Sequence, residues 1–340
     1  MQLGWAALWI AVYLGLVLAP LLVSLVGSTE TNAGFWWDFA IALGFAGTAM
    51  MGGQFMLTAR FKRAMAPFGI DIIYYFHRYI AGVAFALILA HPIILAANDP
   101  AILSFLNPVR APWQMTAGLA SILALAALMI SSWWRKRLGL HYDAWRRGHS
   151  ALAVAALGLA IAHIAGVGHY AAASWTRSLW VGIGLSWLGV IAYVRVGRPW
   201  LMLRRPYEVV DLRPERGDAW TIVVSPRGHD GFHYRPGQFA WLTLRASPFA
   251  MREHPFSISS SPIASAHLEF TIKELGDFTK TIRTLRAGEI AFVDGPYGAF
   301  TIDRYQAPGY VFIAGGIGIA PLMGMLRALA DRGDTRPIIL

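Results

Sequence analysis

The sequence predicts a multi-domain membrane protein, in which a six-helix transmembrane bundle precedes an antiparallel β-barrel and the start of an α/β domain. Of its 340 residues, 56% are hydrophobic and only 14% are charged, a balance too apolar for an ordinary soluble domain. The long apolar runs lie before residue 200, whereas mixed-charge, strand-like sequence follows Pro199. We therefore predict three domains, at residues 1–200, 201–305 and 306–340.

Six apolar runs have about the length that a lipid bilayer requires. They cover residues 3–26, 36–59, 71–97, 113–134, 149–169 and 175–196. The first run lacks a basic start and is too long for the apolar core of a signal peptide. We therefore expect all six runs to be membrane spans.

The distribution of basic residues predicts how the spans are oriented. Arginine and lysine are concentrated in the connections that follow the second, fourth and sixth spans, and the other connections are poor in them. The positive-inside rule then places both termini in the cytoplasm, and we expect the cell (inner) membrane of a bacterium. The net charge of +10 lies beside the spans rather than in one soluble patch, so we predict membrane lipid and no nucleic acid as a partner.

Two of the predicted spans carry a pair of histidines with the same internal spacing. His77 and His91 lie on the third span and His149 and His163 on the fifth, fourteen residues apart in each pair. Fourteen helical residues rise roughly 21 Å and make almost four turns, so both histidines of a pair leave the helix on nearly the same face. Polar side chains in lipid are costly and usually functional. The alternative is four unrelated histidines in apolar helices.

Imidazole is an axial ligand of haem, and two helices that each carry two imidazoles can hold two stacked cofactors. We therefore predict two b haems, an inner one on His77 and His149 and an outer one on His91 and His163. The chain has no cysteine, which excludes disulfides, cysteine-ligated iron–sulfur clusters and thioether-attached haem.

After residue 206 the pattern changes to short alternating strands separated by glycine and proline turns, which is typical of a small antiparallel barrel. A helix over about 278–286 interrupts them. The predicted strands are 207–212, 220–225, 239–244, 267–272 and 290–294.

Four short motifs stand in this region: Pro236–Phe239, His254–Ser260, Gly276–Thr279 and Gly295–Gly298. Together they resemble the flavin domain of the ferredoxin-reductase superfamily. The His-Pro-Phe-Ser form resembles the NADPH oxidase and ferric reductase branch, whose membrane half also carries the histidine pair twice. The resemblance extends from about residue 36 to the last residue.

The resemblance implies an FAD site around the second motif. Phe256 would lie against the flavin ring, Ser257 would hydrogen-bond near its reactive nitrogen, and His254, which Pro255 follows, would face the flavin phosphates. Gly276 and Thr279 would open a helix whose free amides attract the FAD diphosphate. An ordinary helix cap is the alternative at these two residues.

An apolar strand, 310–314, runs into the glycine turn of Gly315, Gly316 and Gly318 and then into an amphipathic helix. The spacing is not the usual dinucleotide fingerprint but resembles the NAD(P)H-binding turn of the same superfamily; a tight structural turn is the alternative. A domain of this kind normally needs roughly 100 residues or more. We therefore expect the sequence to be a fragment that lacks most of this domain.

The predicted function is an NAD(P)H-dependent oxidoreductase that passes electrons through FAD and two haems to an acceptor on the outer face. Oxygen is the predicted acceptor, because the outer connections hold only the scattered acids Glu30, Asp38 and Asp99, and ferric iron favours oxygen ligands. The alternatives are a ferric-chelate reductase and an electron relay to a partner protein or quinone.

Overall fold

The computed structural model describes residues 2–26, 34–62, 69–168, 174–263, 267–304 and 306–340. Glu30, one of the predicted outer acids, lies outside these residues. The chain forms two compact units, one made of Met1–Phe61 and Asp71–Tyr193, the other of Lys62–Ile70 and Val194–Leu340. The three predicted domains stay a prediction.

The first unit is built from long apolar helices. Five helical stretches among the described residues are long and apolar enough to cross a membrane, and the predicted second to sixth spans fall on them. The predicted first span falls on a helix of 25 residues, and its membrane location stays a prediction. The helices are α1 (Gln2–Val26), α2 (Phe35–Thr58), α3 (Ile70–Asn98), α4 (Trp113–Trp133), α5 (Tyr142–Val167) and α6 (Ser174–Ala192).

Helix α5 begins at Tyr142, seven residues before the predicted start of the span at residue 149. The prediction started late because the sequence of the first two helical turns is polar. Hydropathy detects where an apolar run starts, whereas a helix needs only backbone hydrogen bonds and extends into polar sequence without penalty.

After α6 a π-helical turn, Tyr193–Gly197, leads to the short helix α7 (Arg198–Leu203).

The helical unit has a core in which aromatic rings pack against small residues. Phe45 of α2 stacks on Trp180 of α6 with ring centroids 4.9 Å apart. Gly52 of α2 lies against the indole of Trp187, where any Cβ atom would collide with the ring at 2.3 Å. These contacts pack α2 closely against α6.

The second unit contains an antiparallel six-stranded sheet in the order β4-β3-β6-β1-β2-β5. An isolated antiparallel bridge between Ile258, just after β4, and Phe270 of β5 joins the two edges of this curled sheet. Alternating side chains of the strands fill its interior. The strands are β1 (Tyr207–Glu215), β2 (Ala219–Pro226), β3 (Phe239–Leu244), β4 (His254–Ser257), β5 (Leu268–Lys273) and β6 (Ile290–Tyr297).

Two local features of this unit differ from the sequence predictions, which did not include strand β4. The motif His254–Ser257 forms strand β4, paired with β3, although it contains proline; Pro255 is tolerated because β4 pairs with only one named strand. The predicted helix at 278–286 is one turn of α-helix, α8 (Asp277–Lys280), followed by a 3-10 turn, Ile282–Thr284. The hydroxyls of Thr281 and Thr284 donate to carbonyls three residues earlier, and such bonds compete with a continuing helix.

The last part of the chain forms a strand, a glycine turn and a helix in the predicted order. Strand β7 (Tyr310–Val311) pairs in parallel with β8 (Ile338–Ile339). The ladder contains two residue pairs, so β7 is shorter than the predicted strand 310–314. Helix α9 (Ile319–Asp331) buries one face, including Leu322, Met325 and Leu329, against Ile302 and Phe312.

Candidate cofactor sites

The four predicted histidines meet as two facing pairs between α3 and α5. The ring centroids of His77 and His149 lie 6.4 Å apart with their planes at 64°. The centroids of His91 and His163 also lie 6.4 Å apart, with their planes at 68°. The two pairs therefore have almost the same internal geometry.

In the His91–His163 pair, both imidazoles donate to main-chain carbonyls. Nδ1 of His91 lies 2.9 Å from the carbonyl oxygen of Ala40 on α2, and Nδ1 of His163 lies 2.8 Å from that of Gln114 on α4. A carbonyl only accepts, so Nδ1 carries the proton in both rings. Nε2 is then the nitrogen that keeps a free lone pair.

In the His77–His149 pair, the acceptors are side chains. Nδ1 of His77 lies 2.7 Å from Oε1 of Gln54 on α2, and the Nε2 amide of Gln54 donates to the Met50 carbonyl. The Oε1 atom of Gln54 is thus held towards the imidazole as an acceptor. Nε2 of His77 keeps its lone pair.

The other imidazole of this pair is held by a serine. Nδ1 of His149 lies 3.1 Å from the hydroxyl of Ser132 on α4. That hydroxyl donates its only proton to the Leu128 carbonyl at 2.7 Å, so towards His149 it acts as an acceptor. All four imidazoles therefore have the tautomer that a metal bound at Nε2 requires.

A haem iron fits between each pair. Two metal–imidazole bonds of about 2 Å each put the two nitrogens about 4 Å apart and the ring centroids roughly 6 Å apart, close to the observed 6.4 Å. Within the described residues, no three side chains of histidine, aspartate or glutamate group as a chelating site would need. A bis-histidine haem needs only two protein ligands.

A cavity lies between His91 and His163. About 680 Å³ of space there is free of protein atoms, part of it open to the surroundings. Its walls are mostly apolar residues of α2 to α5 and include three glycines, Gly44, Gly118 and Gly168. A flat apolar macrocycle with ligands on both faces suits such a cavity.

The His77–His149 pair has an aromatic neighbour. The indole of Trp145 packs beside the His149 imidazole with ring centroids 5.1 Å apart. The indole Nε1–H is buried and has no hydrogen-bond partner among the described residues. A buried donor of this kind is ready to bind a polar group of a cofactor that the chain itself does not supply.

Sequence reasoning missed Gln54, Ser132, Trp145 and the glycines Gly44 and Gly118. One signal was available, because Gln54 is a long polar side chain within an otherwise apolar span. Serine and glycine are common in membrane helices, and nothing in their spacing marks these copies.

The predicted FAD residues lie on and beside strand β4. His254 and Phe256 belong to β4, and both rings stack with Phe278 of α8, at centroid distances of 3.8 and 6.0 Å. The neighbouring residues Pro255 and Ser257 are paired with Trp241 and Phe239 of β3. The second unit thus presents a group of aromatic rings at its sheet edge, and sequence reasoning missed the part of Phe278 in it.

Gly276 and Thr279 form a helix cap. The hydroxyl of Thr279 accepts hydrogen bonds from the amides of Leu275 and Gly276, at 2.8 and 2.9 Å, and donates to the Gly276 carbonyl. The side chain of Thr279 is therefore occupied by its own turn. Diphosphate binding at this place stays a prediction.

The three glycines of the predicted nucleotide turn have open space on the side where a Cβ atom would stand. Gly315 precedes a 3-10 turn, Gly316–Gly318, that leads into α9, and Gly316 has φ of +54°. No atom of the described chain lies within 4 Å of these Cβ positions, so close packing does not explain why the three residues are glycine. This observation favours the approach of a ligand to the backbone.

Two known domain families match the two units. Residues 43–160 match the ferric reductase like transmembrane component, a range that includes three of the four histidines and ends before His163. Residues 207–301 match an FAD-binding domain, a range that includes β4 and α8.

Individual relatives match part of the chain. The reductase component of propane 2-monooxygenase from Rhodococcus jostii (strain RHA1) is 31% identical over 133 residues, covering 38% of this chain and 35% of that protein. The NADH oxidoreductase HCR of Escherichia coli (strain K12) is 31% identical over 146 residues, covering 41% and 42%. The chain thus spans less than half the length of these relatives. Among solved structures, the Amycolatopsis cytochrome P450 reductase GcoB is 24% identical with a TM-score of 0.35, covering 39% of this chain and 41% of that one.

A helical unit with apolar spans, followed by an FAD-binding domain, defines a membrane flavoprotein. The chain has the architecture of the ferric reductase and NADPH oxidase superfamily, with a ferric reductase-like transmembrane component joined to an FAD-binding domain.

Proposed function

We propose that this chain carries electrons across a bacterial cell membrane, from cytoplasmic NAD(P)H through FAD and two bis-histidine haems to oxygen on the outer face. The observation that carries the proposal is the repeated geometry of the two histidine pairs, with centroids 6.4 Å apart in both. Each of the four imidazoles is also fixed in the metal-binding tautomer. Four unrelated histidines would have no reason to share this arrangement.

The cofactors would supply the redox chemistry when bound: FAD would accept one hydride, which carries two electrons, from NAD(P)H and release the electrons singly to haem iron. The residues of the chain hold and orient these groups. His77 and His149 would ligate the inner haem, His91 and His163 the outer one. With two protein ligands on each iron, an acceptor would be reduced at the haem edge without binding to the metal.

The flavin and nucleotide sites are assigned by residue type and place. Phe256 would pack on the flavin ring, with Ser257 near its reactive nitrogen and His254 towards the phosphates. The cap formed by Gly276 and Thr279 would lie at the diphosphate, and the open turn of Gly315, Gly316 and Gly318 would admit the pyrophosphate of NAD(P)H.

The surroundings of the outer pair favour oxygen as the acceptor. Oxygen needs no ligands from the protein, whereas ferric iron favours oxygen ligands such as carboxylates. The carboxylate of Asp99 accepts from the amide of Ala101 and caps a 3-10 helix, and Asp38 lies in the first turn of α2. Asp38 and Asp99 thus occupy positions at helix N-termini, where acidic residues are common for structural reasons.

Two alternatives each have one observation in their favour. A ferric-chelate reductase agrees with the family that matches residues 43–160. A relay that passes electrons to a partner protein or quinone agrees with a relative described as a reductase component.

The test uses the haem- and FAD-loaded chain in lipid nanodiscs, with chemically reduced flavin as the donor. We expect the visible haem bands to become reduced, and superoxide to be detected by a probe that superoxide dismutase suppresses. Haem bands that stay oxidised while the flavin is fully reduced would contradict the proposal. Reduction of haem without superoxide would leave the relay or the ferric reductase as the better function.

A further inference from the structure

The two haem sites differ in what accepts the Nδ1 proton of the ligands. Ala40 and Gln114 serve the His91–His163 pair through main-chain carbonyls, whose acceptor strength does not depend on the side chain. Gln54 and Ser132 serve the His77–His149 pair through side chains. Only in the second pair can a side-chain substitution remove the acceptor itself.

We propose that Gln54 and Ser132 are positioning residues that set the reduction potential of the inner haem. The inference rests on the proposed function, because it assumes a haem between His77 and His149. A stronger acceptor at Nδ1–H makes an imidazole more basic, and a more basic ligand stabilises oxidised iron and lowers the potential.

The two acceptors are unequal in strength. Gln54 offers an amide oxygen at 2.7 Å, comparable with a main-chain carbonyl. Ser132 offers a hydroxyl at 3.1 Å, a longer bond to a weaker acceptor. The hydroxyl can accept at all because its proton is directed to Leu128. The chain thus gives the inner iron one strongly and one weakly supported imidazole.

Helix α4 offers a matched control next to Ser132. The hydroxyl of Ser131 donates to the same Leu128 carbonyl, at 3.0 Å. Among the hydrogen bonds of the described residues, none connects Ser131 to a histidine. Ser131→Ala therefore removes a similar helix hydrogen bond while leaving the imidazole bond in place.

The experiment is a spectroelectrochemical redox titration of the haem-loaded full chain and its variants, fitted with one potential for each haem. Gln54→Leu and Ser132→Ala remove an acceptor, so we expect both to raise one of the two potentials and leave the other unchanged. We expect a shift of about 59 mV, which corresponds to a tenfold change in the one-electron oxidation equilibrium. Substituting the hydrogen-bond partners of metal ligands typically changes metal affinity or activity by about 10- to 100-fold. Ser132→Thr keeps the hydroxyl and should restore the original value.

Several outcomes would overturn the inference. One is an unchanged potential in both Gln54→Leu and Ser132→Ala, and another is an equal shift in Ser131→Ala. Selective loss of the inner haem in Ser132→Ala, with retention in Ser131→Ala and Ser132→Thr, supports the positioning role, whereas loss in all three overturns it. An unmutated chain that binds no haem would contradict the proposed function itself, which keeps the two failures distinguishable.

Discussion

A Cβ atom on Gly118 would lie 2.8 Å from Nδ1 of His163, closer than side-chain contacts allow. Gly118 stands one helical turn after Gln114, whose carbonyl accepts from the same nitrogen. The arrangement is repeated on α2, where Gly44 follows Ala40 by one turn and its Cβ atom would lie 3.2 Å from Nδ1 of His91. Each imidazole of this pair is thus confined by a carbonyl and a glycine of one neighbouring helix.

This confinement makes Gly118→Ala informative. Alanine raises helix propensity by up to about 1 kcal/mol over glycine, but here its methyl group would displace the imidazole of His163 from the Gln114 carbonyl. We expect lower occupancy or a broadened spectrum of one haem in Gly118→Ala, and a smaller effect in Gly44→Ala. Gly158→Ala, on α5 in open space, is the control and should bind haem normally. Full occupancy with an unchanged spectrum in Gly118→Ala would show that His163 does not need its present position.

The FAD assignment predicts the effect of removing the Phe256 ring. Stacking of an aromatic pair contributes about 0.5–1.5 kcal/mol beyond simple burial, so Phe256→Ala should weaken FAD binding up to about tenfold. Phe249→Ala is the matched control, because Phe249 is 44% exposed and lies outside β4. Fluorescence titration of apo-protein with FAD measures both affinities. Equal affinities in the two variants would remove Phe256 from the flavin site.

A charged pair on the second unit predicts a pH dependence of stability. Arg245 donates to both carboxylate oxygens of Glu289, at 2.6 and 2.5 Å, and this hydrogen bonding lowers the pKa of Glu289 below its usual value. A carboxyl with a lowered pKa stabilises the folded state above its ordinary pKa of about 4.3 and loses that contribution as the pH falls.

We therefore compare Glu289→Gln with the unmutated chain. The unmutated chain should be slightly more stable at neutral pH, by less than about 1 kcal/mol because the pair is partly exposed. This difference should shrink as the pH falls below about 4. Thermal release of FAD, followed by fluorescence at several pH values, measures it. A difference that grows on acidification would show that Glu289 is not held as a carboxylate.

The acceptor assignment predicts how Asp99 behaves. If Asp99 serves only as a helix cap, Asp99→Ala should not alter the rate at which the reduced chain reduces a ferric chelate, measured without oxygen. Superoxide formation in air should be the faster reaction in both proteins. Faster ferric reduction that falls in Asp99→Ala would favour the ferric reductase alternative.

The sequence predicted those features that depend on repeated or long patterns. Hydropathy located the helices, and the fourteen-residue spacing identified His77, His91, His149 and His163, because helical periodicity turns a fixed spacing into a shared face. Alternation located five strands of the sheet.

What escaped prediction depends on contacts between distant residues. Ser132 and Gly118 act on histidines of another helix, and neither residue type is unusual in an apolar helix. Strand β4 was missed because its identity depends on pairing with β3 rather than on its own proline-containing sequence. The helix predicted over 278–286 was too long, because hydroxyl-to-carbonyl bonds of Thr281 and Thr284 compete with the helix beyond α8.

The central claim is that each histidine pair holds one haem. Purified chain, expressed with sufficient haem supply, should contain two low-spin b haems per polypeptide by the pyridine haemochrome assay. His91→Ala should contain one, with the remaining haem still reducible by dithionite. Two haems in His91→Ala, or fewer than one in the unmutated chain, would contradict the account.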